Sequence, residues 1–324
     1  KYLRAWGYAP EMKPFFRSAF AECDIVHIHS MWCYPNIAAA AAAVSQDVPY
    51  IVRPAGSLES WCIANRMWKK KIYLRLISRR IMNHAAAIHA MAEQEALQIE
   101  SFGFRAPVKT IPNGIDFDRL KLWRGQDRQV LTEALGWPAA KNHLLFLSRI
   151  HPKKGLEFLL DLFSQLSPER RDLRLMIAGP DDHEYAQQIR AIARTSPVRD
   201  RIHFLGEVLG DRKWMSLAAA TAFVLPSKSE NFGIAVLESL ASGTPVFVSD
   251  QTPWSIVNDE GAGACLPLEI CEFKNHLTDV IDEPEVLKRS TTAATKVASN
   301  FEWRAIARRN IEMYEQICGV YKTP

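Results

Sequence analysis

The sequence is poor in the signatures of a metalloprotein, a disulfide scaffold or a membrane-spanning protein. Its six cysteines, Cys23, Cys33, Cys62, Cys265, Cys271 and Cys318, show no CxxC or CxxH spacing. That argues against a zinc site or a disulfide framework and fits a reducing compartment. The nine histidines include no HExxH pair, so no metal motif is assigned. No apolar run approaches the roughly 18 residues that a membrane span needs, and the alanine-rich stretch 37–44 is short and weakly apolar. Residues 1–17 are mixed, with Pro10 and Pro14 and no apolar core of a signal peptide. A formal net charge of +4 gives no general case for nucleic acid. A cytoplasmic protein is expected, with the inner face of a membrane as an alternative place for it.

What the sequence does contain is alternation. Its 324 residues are enough for two domains, and short β-rich runs alternate with longer helical patterns, as in parallel α/β sheets. Strand candidates in the first half are 24–29, 49–53, 86–90 and 108–111, with helical segments at 36–44, 61–82 and 92–101. The pattern breaks over 121–142, which reads as a boundary. Strands resume at 143–148, 173–178, 201–206, 221–226, 245–249 and 264–268, each followed by a helix candidate. In the first of these helices Leu156, Leu159, Leu160 and Phe163 keep the spacing of one helical face. A last amphipathic helix is expected at 302–318, through Trp303, Ile306, Ile311, Tyr314 and Ile317. The expected domains are 1–138, incomplete with four strands; 139–300, a complete doubly wound sheet; and 301–324, a helix crossing back to the first domain.

The most informative segment is 226–250, PSKSENFGIAVLESLASGTPVFVSD. Glu230 and Glu238 stand eight positions apart across a loop-to-helix junction, with Phe232 and Gly233 where the helix would begin. A helix N-terminus presents unpaired N–H groups and the positive end of its dipole, which suits an anion. A carboxylate on either side can accept from sugar hydroxyls, so phosphate flanked by polyols is the matching ligand. Ligands of open parallel sheets bind beyond the carboxyl ends of the strands. There this chain places Arg149, then His151 to Gly155 with Lys154, then Gly179-Pro180-Asp181, then Gly206-Glu207-Val208, then Glu230. Arg149 offers a planar fork for phosphate and Lys154 a compact charge. Taken singly, each has a plain alternative: a solvated surface charge, a turn glycine, or Glu238 facing water or pairing with Lys228. Asp181 and Asp182 are adjacent, read as a loop turn, and are not assigned to a divalent cation.

Together these segments resemble the family 4 retaining glycosyltransferases, of GT-B fold and E-x7-E type. The matching text is SRIHPKKGLEFLL, MIAGP, FLGEV and SENFGIAVLESLASGTPV in the second half, and DIVHIHSMW, RPAGSLESW and IPNGIDF in the first. The resemblance implies two Rossmann-like domains facing a cleft. It implies a nucleotide-sugar donor, UDP-, GDP- or ADP-linked, a saccharide or lipid-linked acceptor, no cofactor and no metal. Arg149 and Lys154 would hold the diphosphate and Glu230 the transferred sugar. Asn231, Phe232, Gly233 and Ile234 would present backbone to sugar and phosphate. Glu238 would accept from the ribose hydroxyls, and Gly206, Glu207 and Val208 would line the base. Retention at the anomeric carbon and a role in cell-surface polysaccharide synthesis follow from the same likeness.

The acceptor side is softer. His29 and Ser57 are its candidates; a satisfied core or rim histidine is the alternative for His29. The run 67–80 is basic and aromatic, with Trp68, Ile72 and Leu76 in one apolar line among Lys69, Lys70, Lys71, Arg75, Arg79 and Arg80. It fits an anionic membrane surface or a half-buried helix with a solvated basic face. Two departures from the family pattern stand out. Ala55-Gly56 replaces the His-Gly of many members, and the opening strand with its glycine-rich loop is absent ahead of 24–29. A fragment or a short form is implied, and a non-catalytic nucleotide-sugar- or partner-binding module is the competing reading. A nucleotide-sugar epimerase would need an acid/base carboxylate in the first half, where Glu59 is the candidate.

Overall fold

A computed structural model describes residues 6–64, 67–181 and 184–321. The chain divides into two units, Lys1–Asn113 with Arg304–Pro324, and Gly114–Trp303. In the first, four strands lie parallel in the order β1-β2-β3-β4: β1 Val26–His29, β2 Tyr50–Arg53, β3 Ala87–Ala90 and β4 Val108–Thr110. All of β3 and most of β2 are buried, which is why these strands read as continuous apolar runs rather than alternating ones. The alanine run forms the crossover helix Tyr34–Ser45, with Pro35 in its first turn and Ala38, Ala39, Ala40, Ala42 and Ala43 buried. The C-terminal helix Trp303–Tyr321 supplies Ile306 and Met313 to a cluster with Ile51, Ala87 and Ile111.

The segment 61–82 is not one helix. It is divided into Ser60–Ala64, Met67–Tyr73, a π-turn at Leu74–Ser78 and Arg79–His84, residues 65 and 66 lying outside the described residues. A π-turn inserts one extra residue per turn and shifts the faces that follow it, so a strict 3.6 period cannot run through it.

The second unit holds a six-stranded parallel sheet in the order β10-β9-β8-β5-β6-β7. Its strands are β5 Asn142–Leu147, β6 Leu173–Ala178, β7 Ile202–Gly206, β8 Ala222–Leu225, β9 Val246–Ser249 and β10 Gly263–Leu266. From β5 the chain winds outward through β6 and β7, then returns to lay β8 on the other side of β5. That reversal is a topological switch point, where the loops leaving β5 and β8 part and leave a crevice.

The stretch 121–142 is not structureless. It contains the helix Arg128–Leu135, whose N-cap Asp127 accepts from the Gln129 N–H at 2.7 Å and whose end is Gly136 in the left-handed conformation, φ 68°. The change of unit falls at Asn113/Gly114 rather than at 138/139. Near both ends of the second unit the backbone is tied to itself, Ile115 donating to Phe301 and Trp303 donating to Ile115. Among the described residues no helix is long and apolar enough to cross a membrane.

Candidate functional site

Two glycines let the loops of the switch point touch. Gly155, at φ 69°, follows the short turn Pro152–Lys154, and a Cβ there would lie 2.0 Å from the carbonyl oxygen of Pro226 at the end of β8. Gly179, after β6, has the same relation to Ser148 after β5: a Cβ would fall 1.9 Å from its carbonyl oxygen. The Lys228 N–H donates to the Lys153 carbonyl at 2.7 Å, clamping the loop after β8 to the turn after β5. These approaches bring together residues 76 positions apart: the Lys154 ammonium lies 2.5 Å from Glu230 Oε2. Both side chains are mostly buried, 9% and 13% exposed, and Ser227 Oγ donates to the same oxygen at 3.2 Å.

A second ion pair stands across the cavity. Glu238 Oε1 accepts from Lys213 Nζ at 2.7 Å, so its partner is Lys213 on the helix Gly210–Ala219 and not Lys228, which is exposed. Burial pushes the Glu238 carboxyl above the ordinary carboxylate range, against the opposing pull of Lys213. Between the two pairs runs a cavity of about 280 Å³, also lined by Arg149, Glu207, Val208, Gly233 and Ile234. It lies at the small end of ligand pockets, about 300–1,000 Å³. Arg149 is exposed and has no hydrogen-bonding or ion-pair partner among the described residues.

The helix Ile234–Ala241 opens on this cavity. Its N-cap is Gly233, φ 78° and ψ 64°, with no side-chain cap; the Val236 N–H donates to the Gly233 carbonyl at 2.9 Å, and the N–H groups of Ile234 and Ala235 before it receive no side-chain acceptor. A Cβ on Gly233 would press within 3.2–3.3 Å of Glu230, Val236 and Trp254. The preceding residue is structural: Phe232 is buried, packs on Trp254 and Phe301, and its carbonyl accepts from Trp254 Nε1 at 2.5 Å. That clamp sets the height of the loop. Asn231 is half-buried beside it. Gly206, φ 69°, ends β7 and its carbonyl accepts from the Gly179 N–H at 2.8 Å, while Glu207 and Val208 reach the cavity wall.

Asp181 and the pair Asp116 and Asp118 have partners of their own. Asp181 accepts from the Arg190 guanidinium, and Asp182 lies outside the described residues. An alternating pair that the spacing arguments leave unassigned, Asp116 and Asp118, caps and braces the turn Phe117–Leu120, with Arg119 and Lys121 as ion-pair partners.

The remaining candidates belong to the first unit. His29 is exposed at the end of β1, next to Ser30 in the left-handed region at φ 70°; the Asn36 amide donates to both carbonyls. Ser57 is buried and its carbonyl accepts from Trp32 Nε1 at 3.0 Å. Glu59 is buried, 7% exposed. Ala55 takes φ 52°, a conformation costly for a residue with a Cβ. His27 and His89 form a directed chain. The Ile111 carbonyl can only accept, so His89 donates from Nε2 at 2.7 Å; its Nδ1 then accepts from His27 Nε2 at 3.3 Å, and His27 Nδ1 accepts the Tyr314 hydroxyl at 2.8 Å. Both rings are neutral, burial lowering His27 to about 3 and His89 to about 4. Their role is to bind the C-terminal helix to the sheet.

Residues 127–297 match the family described as Glycosyl transferases group 1, and residues 3–114 match the Glycosyl transferase 4-like domain. Phosphatidyl-myo-inositol mannosyltransferase of Mycobacterium tuberculosis is 27% identical over 230 residues, 68% of this chain and 57% of that protein. D-inositol 3-phosphate glycosyltransferase 2 of Catenulispora acidiphila is 28% identical over 249 residues, 73% of this chain and 57% of its own length. The chain thus spans rather more than half the length of these relatives. Among solved structures, Anabaena Alr3699/HepE in complex with UDP superposes with a TM-score of 0.80 at 20% identity, over 95% of this chain and 82% of that one. Sucrose-phosphate synthase of Thermosynechococcus elongatus gives 0.79 at 18%, over 96% and 78%. The fold is that of the GT-B glycosyltransferases.

Proposed function

Because the chain belongs to the glycosyl transferases of group 1, we propose that it transfers a sugar from a nucleotide-sugar donor to a saccharide or lipid-linked acceptor, with retention and without a metal. The observation that carries this reading is the pair of lysine–carboxylate contacts, Lys154–Glu230 and Lys213–Glu238, on either side of an uncapped helix N-terminus at the switch point. Each carboxylate is neutralised by a lysine. A donor diphosphate competes for Lys154, whose ammonium turns from Glu230 to phosphate oxygens. Arg149 adds its fork and the N–H groups of the helix their dipole. Glu230, released, accepts from the hydroxyls of the transferred sugar, and Glu238, held by Lys213, accepts from the ribose. Charge on the departing nucleoside diphosphate is met by groups already in place, the arrangement that lowers such barriers most.

The acceptor is proposed to come from a membrane surface on the cytoplasmic side, in the assembly of cell-surface polysaccharide. Trp68, Ile72 and Leu76 are 65%, 53% and 68% exposed in the first unit, beside the exposed Lys71, Arg75 and Arg80, and residues 60–92 contain no Asp or Glu. An apolar line flanked only by cations matches an anionic lipid surface. Arg79 is already committed to the Phe102 and Gly103 carbonyls.

A second reading, nucleotide-sugar binding without turnover, is favoured by one observation: Ala55 offers no imidazole where the resemblance implies one. Incubation with UDP-, GDP- and ADP-sugars, with and without membrane extract, separates the two. Release of nucleoside diphosphate with retained anomeric configuration in the product, followed by NMR, is expected for the transferase. Tight binding with no release by any donor supports the binding module instead.

A further inference from the structure

The second unit also carries a concave region away from the switch point. It is an open groove of about 890 Å³, lined by residues 124–128, by Ala218, Ser242 and Gly243, and by one face of the helix Pro284–Ser299. Its charge is unbalanced. Arg124 and Arg128 face Asp127, which is used as the N-cap of the helix that follows it, while Lys296 is paired with Glu260 at 2.6 Å. Arg128 is the odd group. Its guanidinium donates to Thr291 Oγ1 at 3.0 Å, yet its Nε is buried with no hydrogen-bond partner. The guanidinium therefore spends one N–H on Thr291 and keeps donor capacity at the groove wall. Ser242, Thr292 and Thr295 donate their hydroxyls to the Glu238, Lys288 and Thr291 carbonyls, and Thr291 Oγ1 accepts from Arg128, so along this wall the hydroxyl oxygens are offered as acceptors. An arginine pair beside a row of hydroxyls suits a ligand with a phosphate at one end and polyol along its length.

From this we infer that the groove is a second ligand site, for a phosphorylated sugar, separate from the nucleotide cavity. It is also wired to that cavity. Ser242 donates its hydroxyl to the backbone carbonyl of Glu238 at 2.9 Å, and Ala218 lies on the helix that carries Lys213. Both members of the Lys213–Glu238 pair are therefore about one helical turn from a groove residue. A ligand that shifts either helix alters the pair, so groove occupancy changes affinity for the nucleotide; this coupling rests on the donor reading above, whereas binding in the groove does not.

Isothermal titration with glucose 6-phosphate, inorganic phosphate and glucose, each on the full chain, tests the site. Saturable binding of glucose 6-phosphate is expected, weakened about tenfold or more by Arg128→Gln, as for loss of a charged hydrogen bond. Arg124→Gln, at a partly exposed position stacked on Phe117, should weaken it as well and guards against an Arg128 variant that fails to fold. Inorganic phosphate should bind more weakly and glucose not measurably. No heat with glucose 6-phosphate, or equal affinity in wild type and both arginine variants, overturns the site. Equal affinity for inorganic phosphate overturns the sugar portion. UDP titrated with the groove saturated should show a shifted affinity that Ser242→Ala removes; an unchanged UDP affinity overturns the coupling while leaving the site.

Discussion

Glu238 and Lys213, 25 positions apart, are joined at 2.7 Å in the wall of the switch-point cavity, one on each of two helices that converge there. The pair is mostly buried, 12% and 23% exposed, and it holds in place the carboxylate proposed to grip the ribose. Removing the lysine leaves a carboxylate in low dielectric without its counter-charge. Lys213→Met is expected to lower stability by about 1–3 kcal/mol and to weaken nucleoside diphosphate binding. Urea unfolding and titration with UDP, GDP and ADP check both; an unchanged midpoint with unchanged affinity would show that the pair is ornamental.

The same pair sets a pH dependence. Burial raises the Glu238 carboxyl in the folded chain, so between the ordinary glutamate value and the raised one the folded state holds more proton than the unfolded state. Stability from this group is therefore lost as pH rises through that interval. In Glu238→Gln that part of the slope should vanish, seen as a flatter curve of unfolding free energy against pH from mildly acid upward. An identical slope in variant and wild type contradicts the assignment.

The histidine chain runs the other way. His27 and His89 are lowered from 6.5 to about 3 and about 4, so on acidification the unfolded chain takes up protons that the folded one refuses. Stability should fall as pH drops from about 6.5 toward 4, and His27→Gln should reduce that fall. Tyr314→Phe, which strips His27 Nδ1 of its donor, is expected to cost about 1–2 kcal/mol at neutral pH. Loss of less than a few tenths would mean the hydroxyl does not anchor the helix.

Two glycines of nearly equal conformation should respond differently to alanine. Gly155 and Gly206 both have φ 69°, but a Cβ on the first meets the Pro226 carbonyl at 2.0 Å and on the second meets nothing within 4 Å. Gly206→Ala should cost about 1–2 kcal/mol for the left-handed backbone alone. Gly155→Ala should cost about 3 kcal/mol or more, because the turn carrying Lys154 must move off β8. Nucleotide affinity should fall further with Gly155→Ala than with Gly206→Ala.

The exposed stripe is tested with lipid. Ile72→Ser with Leu76→Ser, both at exposed positions, should reduce sedimentation with phosphatidylglycerol-containing vesicles about tenfold or more. High salt should weaken the wild type in the same assay. Equal sedimentation of wild type and double variant removes the membrane surface from the proposal.

Much of the architecture was legible because buried parallel strands are short apolar runs with polar ends, and each candidate run from 24–29 to 264–268 overlaps a strand. That Glu230, Lys154 and Arg149 line one cavity was legible for the same reason: they follow strand ends, where ligands of such sheets bind. Lys213 was not, since it lies in the first turn of a helix with no spacing that relates it to Glu238. The helix Arg128–Leu135 was hidden by its polar flanks, and the break in 61–82 by a π-turn that leaves no mark in composition. The role of His89 was not legible, since only the fold sets it beside His27, which Tyr314 reaches from the C-terminal helix. The groove at Arg128 is assembled from segments around 124–128, 242–243 and 291–299, which no local pattern connects.

The central claim is that the switch-point cavity binds the nucleotide of a nucleotide-sugar. Isothermal titration of UDP, GDP and ADP into wild type, Arg149→Ala and Glu238→Ala tests it most directly. At least one nucleotide should bind the wild type, and each substitution should weaken it about tenfold or more, with both variants still folded by circular dichroism. Nucleotide affinity that is the same in all three proteins, or absent from the wild type for every nucleotide, would contradict it.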